Sequence, residues 1–375
     1  MTCIFIYNPN SGRGKIEKKL SYIVKKLKTK YEKVDVYATK AKGDLTQKVR
    51  EVADKYDCVV FSGGDGSFNE VLRGIGDMEK LPLLGYIPGG TANDIAHSLG
   101  IARKSVRKAV KVVLKGRKEY LDCMRINGKE YAMYSVSAGA FTSAAYTTPQ
   151  EAKRALGLLA YGLEGIRKNL PFKVFPMAVE DGAQRTETES VFTLIMNTKC
   201  VAGWKMNGGG SMSDGIMECA VVKQKISPNL YNKARALFAL VRLFVFGYRF
   251  KEKNLLRLKG ERLRFEVPDD VVWNYDGEKG ASGSIDIEVL HRKVPLLVPK
   301  NNKNIYFRVK NDLKIHVTCP IYLGKENILK MIEKNEESIL KMYDKAYENS
   351  KDNELFLYLG KKYFIEIKET EIGIR

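Results

Sequence analysis

The sequence predicts an α/β N-terminal domain on a doubly wound parallel sheet, a β-rich second domain and a small α+β C-terminal appendage. Three observations predict it. Strand-like apolar runs alternate with amphipathic helical stretches through residues 1–122, the texture of a parallel sheet with right-handed crossovers. Two of those runs end abruptly in glycines and restart as helices. From about Leu121 the pattern shifts to β-branched runs with long connections, and after Lys300 it shifts again. The expected boundaries are 1–122, 123–300 and 301–375.

Taken in order, residues 3–8 read as the first strand, and 12–30 as a lysine-studded helix with Ile16, Leu20, Ile23, Val24 and Leu27 at helical spacing. Residues 34–37 read as the second strand, ending at Thr39, and 44–56 as the second helix. The apolar run 57–61 then enters GGDGSFNE (63–70), three glycines around one carboxylate with a helix behind them. Glycine there lets backbone N–H groups approach a ligand closely, and a helix N-terminus favours an anion such as phosphate. Asp65 is odd in that setting, because a carboxylate facing phosphates is repelled unless a cation lies between them. That points to a divalent metal. The strand 83–87 repeats the plan, running into PGGTANDIA (88–96), where Thr91 or Asn93 is placed to cap the next helix. Two such turns at the carboxyl ends of neighbouring strands make one crevice, where open α/β sheets bind ligands. A basic helix follows over 103–115.

In the second region, residues 131–141, 191–196 and 285–290 read as strands and 150–169 as a helical insertion. Residues 229–250 hold an apolar helix too short and too arginine-broken to cross a bilayer. It packs over the β-rich domain or lies in a membrane interface; packing is the reading preferred from sequence.

At 375 residues and 44% apolar content the chain supports two cores plus an appendage. Six scattered cysteines without a CxxC read as buried free thiols of a reducing compartment. The first residues fit a strand and not a signal peptide, so a cytoplasmic location is expected. Net charge is +20, of which +18 lies on the first 300 residues. Such an excess suits a polyanionic partner. No aromatic-interleaved nucleic-acid motif accompanies it, so nucleic acid is not expected, and a nucleotide, an anionic membrane surface and plain solubility charge stay open as its reason.

Together, GGDGSFNE, PGGTANDIA and the initial NPNSG (8–12) resemble the diacylglycerol kinase catalytic-domain family, in particular the soluble lipid kinases of bacteria, over roughly residues 1–300. The resemblance implies the α/β fold shared with NAD kinases, then a β-sandwich whose inner face receives acyl chains. It implies phosphate transfer from ATP with Mg²⁺ to the hydroxyl of diacylglycerol, at the inner face of the cell membrane, with a homodimer allowed. It assigns to the nucleotide Asn8, Ser11, Gly12, Thr39, Gly63, Gly64, Asp65, Gly66, Ser67, Phe68, Asn69, Gly90, Thr91 and Asn93. Ser67 replaces the family's usual Thr and keeps the hydroxyl.

Two later turns carry further motifs of the family. SMSDGIM (211–217) resembles its Asp-Asp-Gly turn, which holds a structural Mg²⁺; by that match Asp214 is the carboxylate ligand, with carbonyls of Ser211 and Ile216. Ser213 stands where the family usually has its first Asp, which weakens the expected metal site. With Asp65 and Asp94, Asp214 is expected to organise magnesium and its waters. WNYDGE (273–278) carries Asp276 and Glu278, which the resemblance sets beside the transferred phosphate. Two apart on an extended segment, they would face one side and serve as the base that deprotonates the attacking hydroxyl; which of the two takes the proton is open.

The sequence after Lys300 gives strands 305–309 and 314–320, a charged helix 325–349 and an LYLGKKY hairpin (357–363). This succession resembles the opening of the small YgjP/SprT-like metal-dependent hydrolases, but their HExxH helix is absent before Arg375. The stretch is read as a truncated or repurposed fragment that coordinates no catalytic zinc. Three rivals to a diacylglycerol kinase stand beside it: an NAD kinase, which shares GGDG; a sphingoid or ceramide kinase; and a non-catalytic module that only holds lipid or nucleotide. Walker A and protein-kinase glycine motifs are absent.

Overall fold

The computed structural model describes residues 1–9, 11–14, 16–76, 78–91, 93–140, 173–182, 184–201, 204, 206–226, 230–250, 252–300, 306–309, 313–318 and 325–350. The helical insertion expected at 150–169 and the hairpin expected at 357–363 lie outside the described residues. The chain falls into two compact units, Met1–Pro299 and Lys300–Arg375.

The first unit opens with four parallel strands: β1 (Thr2–Tyr7), β2 (Lys33–Ala38), β3 (Cys58–Gly63) and β4 (Leu83–Pro88), in the order β2-β1-β3-β4. All six residues of β3 are buried, as expected for a central strand covered on both faces. The intervening helices are α1 (Leu20–Leu27), α2 (Asp44–Val52), α3 (Asp65–Ile75), α4 (Asp94–Ser98) and α5 (Val106–Lys115). The helix expected over 12–30 starts late: short 3₁₀ turns at Ser11–Gly14 and Glu17–Lys19 precede α1. Gly14, the last residue of the first turn, has φ +72°, which stops that turn from continuing into α1.

The remaining strands are β5 (Arg117–Ile126), β6 (Glu130–Ala132), β7 (Ser135–Gly139), β8 (Phe175–Glu180), β9 (Arg185–Met196) and β10 (Met217–Lys223). After the helix α6 (Leu230–Phe246) come β11 (Leu255–Gly260), β12 (Arg262–Glu266), β13 (Val272–Tyr275), β14 (Glu278–Ser282) and β15 (Ile285–Val298). Their pairing is antiparallel throughout, apart from one parallel contact of β15 with β4 at Leu296–Leu84. β5 and β15 run side by side through two cores. Leu121, Cys123, Val294 and Leu296 belong to the core around the parallel strands, whereas Met124, Ile126, Ile285 and Ile287 pack with Phe265 and Trp273. Cys3, Cys58, Cys123 and Cys219 are buried free thiols.

Two expected strands come out differently. The run 285–290 continues to Val298 across a bulge between Leu290 and Val294. The run 131–141 splits into β6 and β7, because the backbone N–H groups of Met133, Tyr134 and Ser135 turn to the carboxylate of Asp276 instead of a ladder.

In the second unit, β16 (Tyr306–Val309) and β17 (Ile315–Thr318) form an antiparallel pair. The single helix expected over 325–349 is two, α7 (Lys325–Lys334) and α8 (Glu336–Ser350). Asn335 interrupts them, its amide Nδ2 donating back to the Met331 carbonyl at 2.8 Å, a local bond that competes with the helix ladder.

Asp122 ties the first unit together on β5. It is fully buried, and its oxygens accept from Gly215 N and Arg292 N at 2.7 Å each, with His291 Nδ1 at 3.0 Å. Asp122→Ala should therefore orphan the buried Gly215 N–H and release the part-buried Arg292 N–H, lowering the unfolding free energy by about 1–4 kcal/mol, read as a fall in urea midpoint with unchanged m-value.

Candidate active site

The parallel strands end together. Tyr7 pairs with Ala38 and Ser62, and Gly63 with Pro88, so the segments after β1, β2, β3 and β4 emerge along one edge of the sheet. Asn8, Thr39, the Gly63–Asn69 turn and the Gly90–Asn93 turn all follow these strand ends. Backbone bonds hold them there: Asn8 N donates to Ser62 O at 3.4 Å, Thr39 N to Tyr7 O at 2.9 Å and Ser11 N to Asn8 O at 3.1 Å. Ser11 also lies beside the second turn, since a Cβ on Gly89 would sit 3.1 Å from its Oγ.

The two glycine turns touch. A Cβ on Gly90 would lie 2.5 Å from Gly64 Cα, and one on Gly64 would lie 3.2 Å from Gly90 Cα. Glycine is thus required here by the neighbouring backbone, before any ligand is considered. Neither Thr91 nor Asn93 caps α4 through its side chain. Thr91 is exposed, and Asn93, buried with φ +53°, exchanges hydrogen bonds with Gly90 N and O at 3.0 and 2.7 Å. The acceptor at the start of α4 is Asp65, 29 residues upstream. Its Oδ2 takes Asp94 N at 3.1 Å and its Oδ1 takes Ile95 N at 3.2 Å. Burial pushes the Asp65 carboxyl above its ordinary value, against the pull of these N–H donors.

Asp276 and Glu278 do not lie on an extended segment. Asp276 and Gly277 form the two-residue turn between β13 and β14, with φ +51° and +91°, the signature of a type I′ hairpin. The two acids therefore live in different surroundings. Asp276 is buried, accepting from Tyr134 N at 2.9 Å, Ser135 N at 2.7 Å and Met133 N. Burial raises its carboxyl to about 7, although three N–H donors pull the other way. Glu278 is partly exposed and reaches Arg73 Nη2 at 3.3 Å and Lys42 Nζ at 3.7 Å. It also overhangs the first turn of α3: a Cβ on Gly66 would lie 3.0 Å from Glu278 Oε1. Residues 66 and 278 so meet in one place, and burial with the fields of Asp65, Asp276 and Asp94 lifts the Tyr134 phenol well above its usual range beside them.

Residues 2–126 match the family model described as the diacylglycerol kinase catalytic domain. Over 297 residues the chain is 30% identical to a diacylglycerol kinase of Bacillus subtilis (strain 168), covering 79% of this chain and 95% of that protein. The chain belongs to the diacylglycerol kinase family. A Staphylococcus aureus (strain bovine RF122 / ET3-1) diacylglycerol kinase is 26% identical over 301 residues, covering 80% of this chain and 93% of its own. Two solved structures from Bacillus anthracis str. Sterne, one of them described as a diacylglycerol kinase, share the fold. Their TM-scores are 0.65 and 0.63, at 24% and 22% identity, over 79% of this chain and 97% and 96% of theirs. The family is one of lipid kinases, and this chain is an enzyme of that kind.

Several residues suit the groups such a kinase takes up. Asn69 is fully buried on α3, and both atoms of its amide lack a hydrogen-bond partner among the described residues. Buried amides are normally satisfied, so these two await a ligand or water. The N-terminus of α3 has Gly64 at its cap and no side-chain acceptor, which leaves N–H donors for an anion. For a cation, Asp214 is exposed and accepts Ile216 N at 3.3 Å. Glu218 stands nearby, its carboxyl raised by burial first and then, after the opposing Asn207 hydrogen bond, by the Asp214 charge. A cation with oxygen ligands would relieve that crowding. No three His, Cys, Asp or Glu side chains converge to hold a metal among the described residues, so a metal here would rest on carbonyls and waters as well.

Sequence reading missed Lys42, Arg73 and Glu70, which gather round Glu278 and Gly43. Glu70 Oε2 accepts Gly43 N at 3.1 Å, and Arg73 Nε also faces Glu130 at 3.7 Å. The one available signal was spacing, since Glu70 and Arg73 lie one turn apart on α3.

Two predictions follow from this geometry. Asn69→Leu removes the orphaned amide at similar volume and should raise the unfolding free energy by about 1 kcal/mol, measured by denaturant melting without ligand. Asp276 holds its proton in the folded state up to about 7, whereas its ordinary value is 3.8. Between those values the folded state binds the extra proton, so this group makes stability fall as pH rises and contributes no further slope above about pH 7. Asp276→Asn cannot ionise. Urea unfolding of both proteins across this range should show that slope in the parent and its loss in the variant.

Proposed function

We propose that this chain transfers the γ-phosphate of ATP to the hydroxyl of diacylglycerol, giving phosphatidic acid and ADP. The observation that supports it best is the carboxylate of Glu278 standing over Gly66, which joins the Asp-Gly-Glu hairpin to the glycine turn of α3. In this reading residues 1–122 take the nucleotide, 123–300 form a β-sandwich for the acyl chains, and 301–375 are a C-terminal appendage.

The nucleotide lies along the carboxyl edge of the parallel strands, against Asn8, Ser11, Gly12, Thr39, the Gly63–Asn69 turn, Gly90, Thr91 and Asn93. The α3 N-terminus offers N–H donors to phosphate, and the Asn69 amide supplies a donor and an acceptor. Bound Mg²⁺ supplies positive charge for the β- and γ-phosphate oxygens. Asp65, Asp94 and Asp214 would organise magnesium and its waters, Asp214 with carbonyls of Ser211 and Ile216 as the structural ligand set. Asp276 and Glu278 are the base machinery: one carboxylate within hydrogen-bond reach of the lipid hydroxyl orients it and accepts its proton as the new P–O bond forms. Arg73 and Lys42 hold Glu278 in place and offset its charge near the phosphates. The substrate is met at an anionic membrane, on the inner face of the cell membrane, by a cytoplasmic protein of net charge +20.

The experiment is transfer of label from [γ-³²P]ATP, with Mg²⁺, to diacylglycerol in anionic mixed micelles, with sphingosine and NAD alongside. Label in phosphatidic acid is expected. Label only in a sphingoid phosphate or in NADP overturns the substrate, and no transfer to any acceptor overturns the reaction. Glu278→Gln should lower kcat by about 10²–10⁴-fold with its melting temperature near the parent's; unchanged turnover would remove Glu278 from the base machinery.

A further inference from the structure

α6 is apolar on the wrong side as well as the right one. Its inner face is accounted for: Ala236, Ala239, Leu240 and Leu243 are buried against Ala220, Val222 and Met206. Its outer face should then be polar. Instead Tyr231 is 66% exposed, Phe238 53%, Val245 58% and Phe246 61%, so four of the ten outward-facing large apolar side chains among the described residues lie on this one helix. Tyr231, Arg235, Phe238, Arg242 and Val245 follow one another at i, i+4, i+7, i+11 and i+14, a single stripe along the helix.

The stripe alternates rings and guanidinium groups, and the two are engaged with each other. Arg235 lies 5.5 Å over the Tyr231 ring, and Arg242 lies 4.1 Å over Phe238 and 4.9 Å over Phe250. Phe246 stacks on Phe250 at 4.9 Å. The loop that carries Trp204, itself 43% exposed, joins the same end of the helix through Tyr248 N and Met206 O at 2.6 Å. Lys233, Arg235 and Arg242 are the charged residues of α6, which has no acidic side chain; Arg242 is paired with Glu252 at 2.7 Å, so the charge left over is that of Lys233 and Arg235. Exposed apolar surface on this scale marks a binding face.

We infer that the outer stripe of α6, with Phe250 and Trp204 at its end, lies in the headgroup layer of an anionic lipid bilayer. Charge decides between this and a second copy of the chain. A twofold pairing of α6 on itself would set a helix bearing only cations against the same helix, like charge on like. Anionic headgroups meet those cations while the rings occupy the polar–apolar boundary, where aromatic side chains are enriched. No helix among the described residues is long and apolar enough to cross a membrane, so α6 lies in the interface and does not span it. The inference rests on the lipid kinase reading for its biological sense, but not for its test.

The test is co-sedimentation of the full chain with phosphatidylcholine vesicles, with and without phosphatidylglycerol, for the parent and for the double variant Phe238→Ser, Phe246→Ser. Both positions are exposed, so the variant's melting temperature should match the parent's. The expected result is binding to the anionic vesicles that weakens with salt, and a loss of more than about tenfold in affinity for the variant, since two buried rings are worth over a decade. Equal binding by parent and variant overturns the inference, as does equal binding to vesicles without phosphatidylglycerol. A variant that binds vesicles normally but changes from dimer to monomer in sedimentation reassigns the stripe to self-association. A short-chain diacylglycerol dissolved without vesicles keeps the two readings apart: parent and variant should phosphorylate it equally. Failure of both proteins there counts against the kinase reading alone.

Discussion

A buried carboxylate facing main-chain N–H groups is the device on which the first unit depends, and it is used three times. Asp65 receives Asp94 N and Ile95 N, Asp122 receives Gly215 N and Arg292 N, and Asp276 receives three consecutive N–H groups at Met133–Ser135. Each acid lies far in sequence from the backbone it binds, and each holds a segment that no ladder or helix could hold. Main-chain donors satisfied in this way are costly to strand once their acceptor is removed. The irregular backbone around the site is therefore fixed as firmly as the strands beside it.

This device explains which parts of the molecule could be read from the chain alone. The parallel strands and the two glycine turns were legible because their signals are local: a β-branched run, then glycines, then helical periodicity. What Asp65 does was not legible. In sequence it is a lone acid among glycines, and the helix it caps begins 29 residues later. The same holds for the break between β6 and β7, where an apolar run that reads as one strand gives up its N–H groups to Asp276, more than 140 residues away. The late start of α1 was visible in Gly12 and Gly14, and was overridden in reading by the strong apolar spacing behind them.

α6 shows a different limit. Its periodicity announced a helix, but hydrophobic residues run round it, so the sequence held no record of which side faced the core. Only packing distinguishes Leu240, which is buried, from Phe238 two residues before it, which is not. A helix with two apolar faces needs two partners, and the core supplies one.

The acids at the glycine turns raise an electrostatic difficulty, since carboxylates near a polyphosphate would repel it. The structure meets this separately for each. Asp65 directs both oxygens at N–H groups, and burial favours its neutral form. Asp276 is walled in, with a carboxyl raised to about 7 and three donors on it. Glu278 alone extends toward the turn, and it arrives with Arg73 and Lys42 attached. A hairpin that sends one acid inward and its neighbour outward gives them unlike proton affinities from nearly the same place in the chain. In the proposed reaction that difference matters more than which oxygen takes the proton: the pinned acid fixes the hairpin, and the paired acid can approach the transferring phosphate because its charge is already balanced.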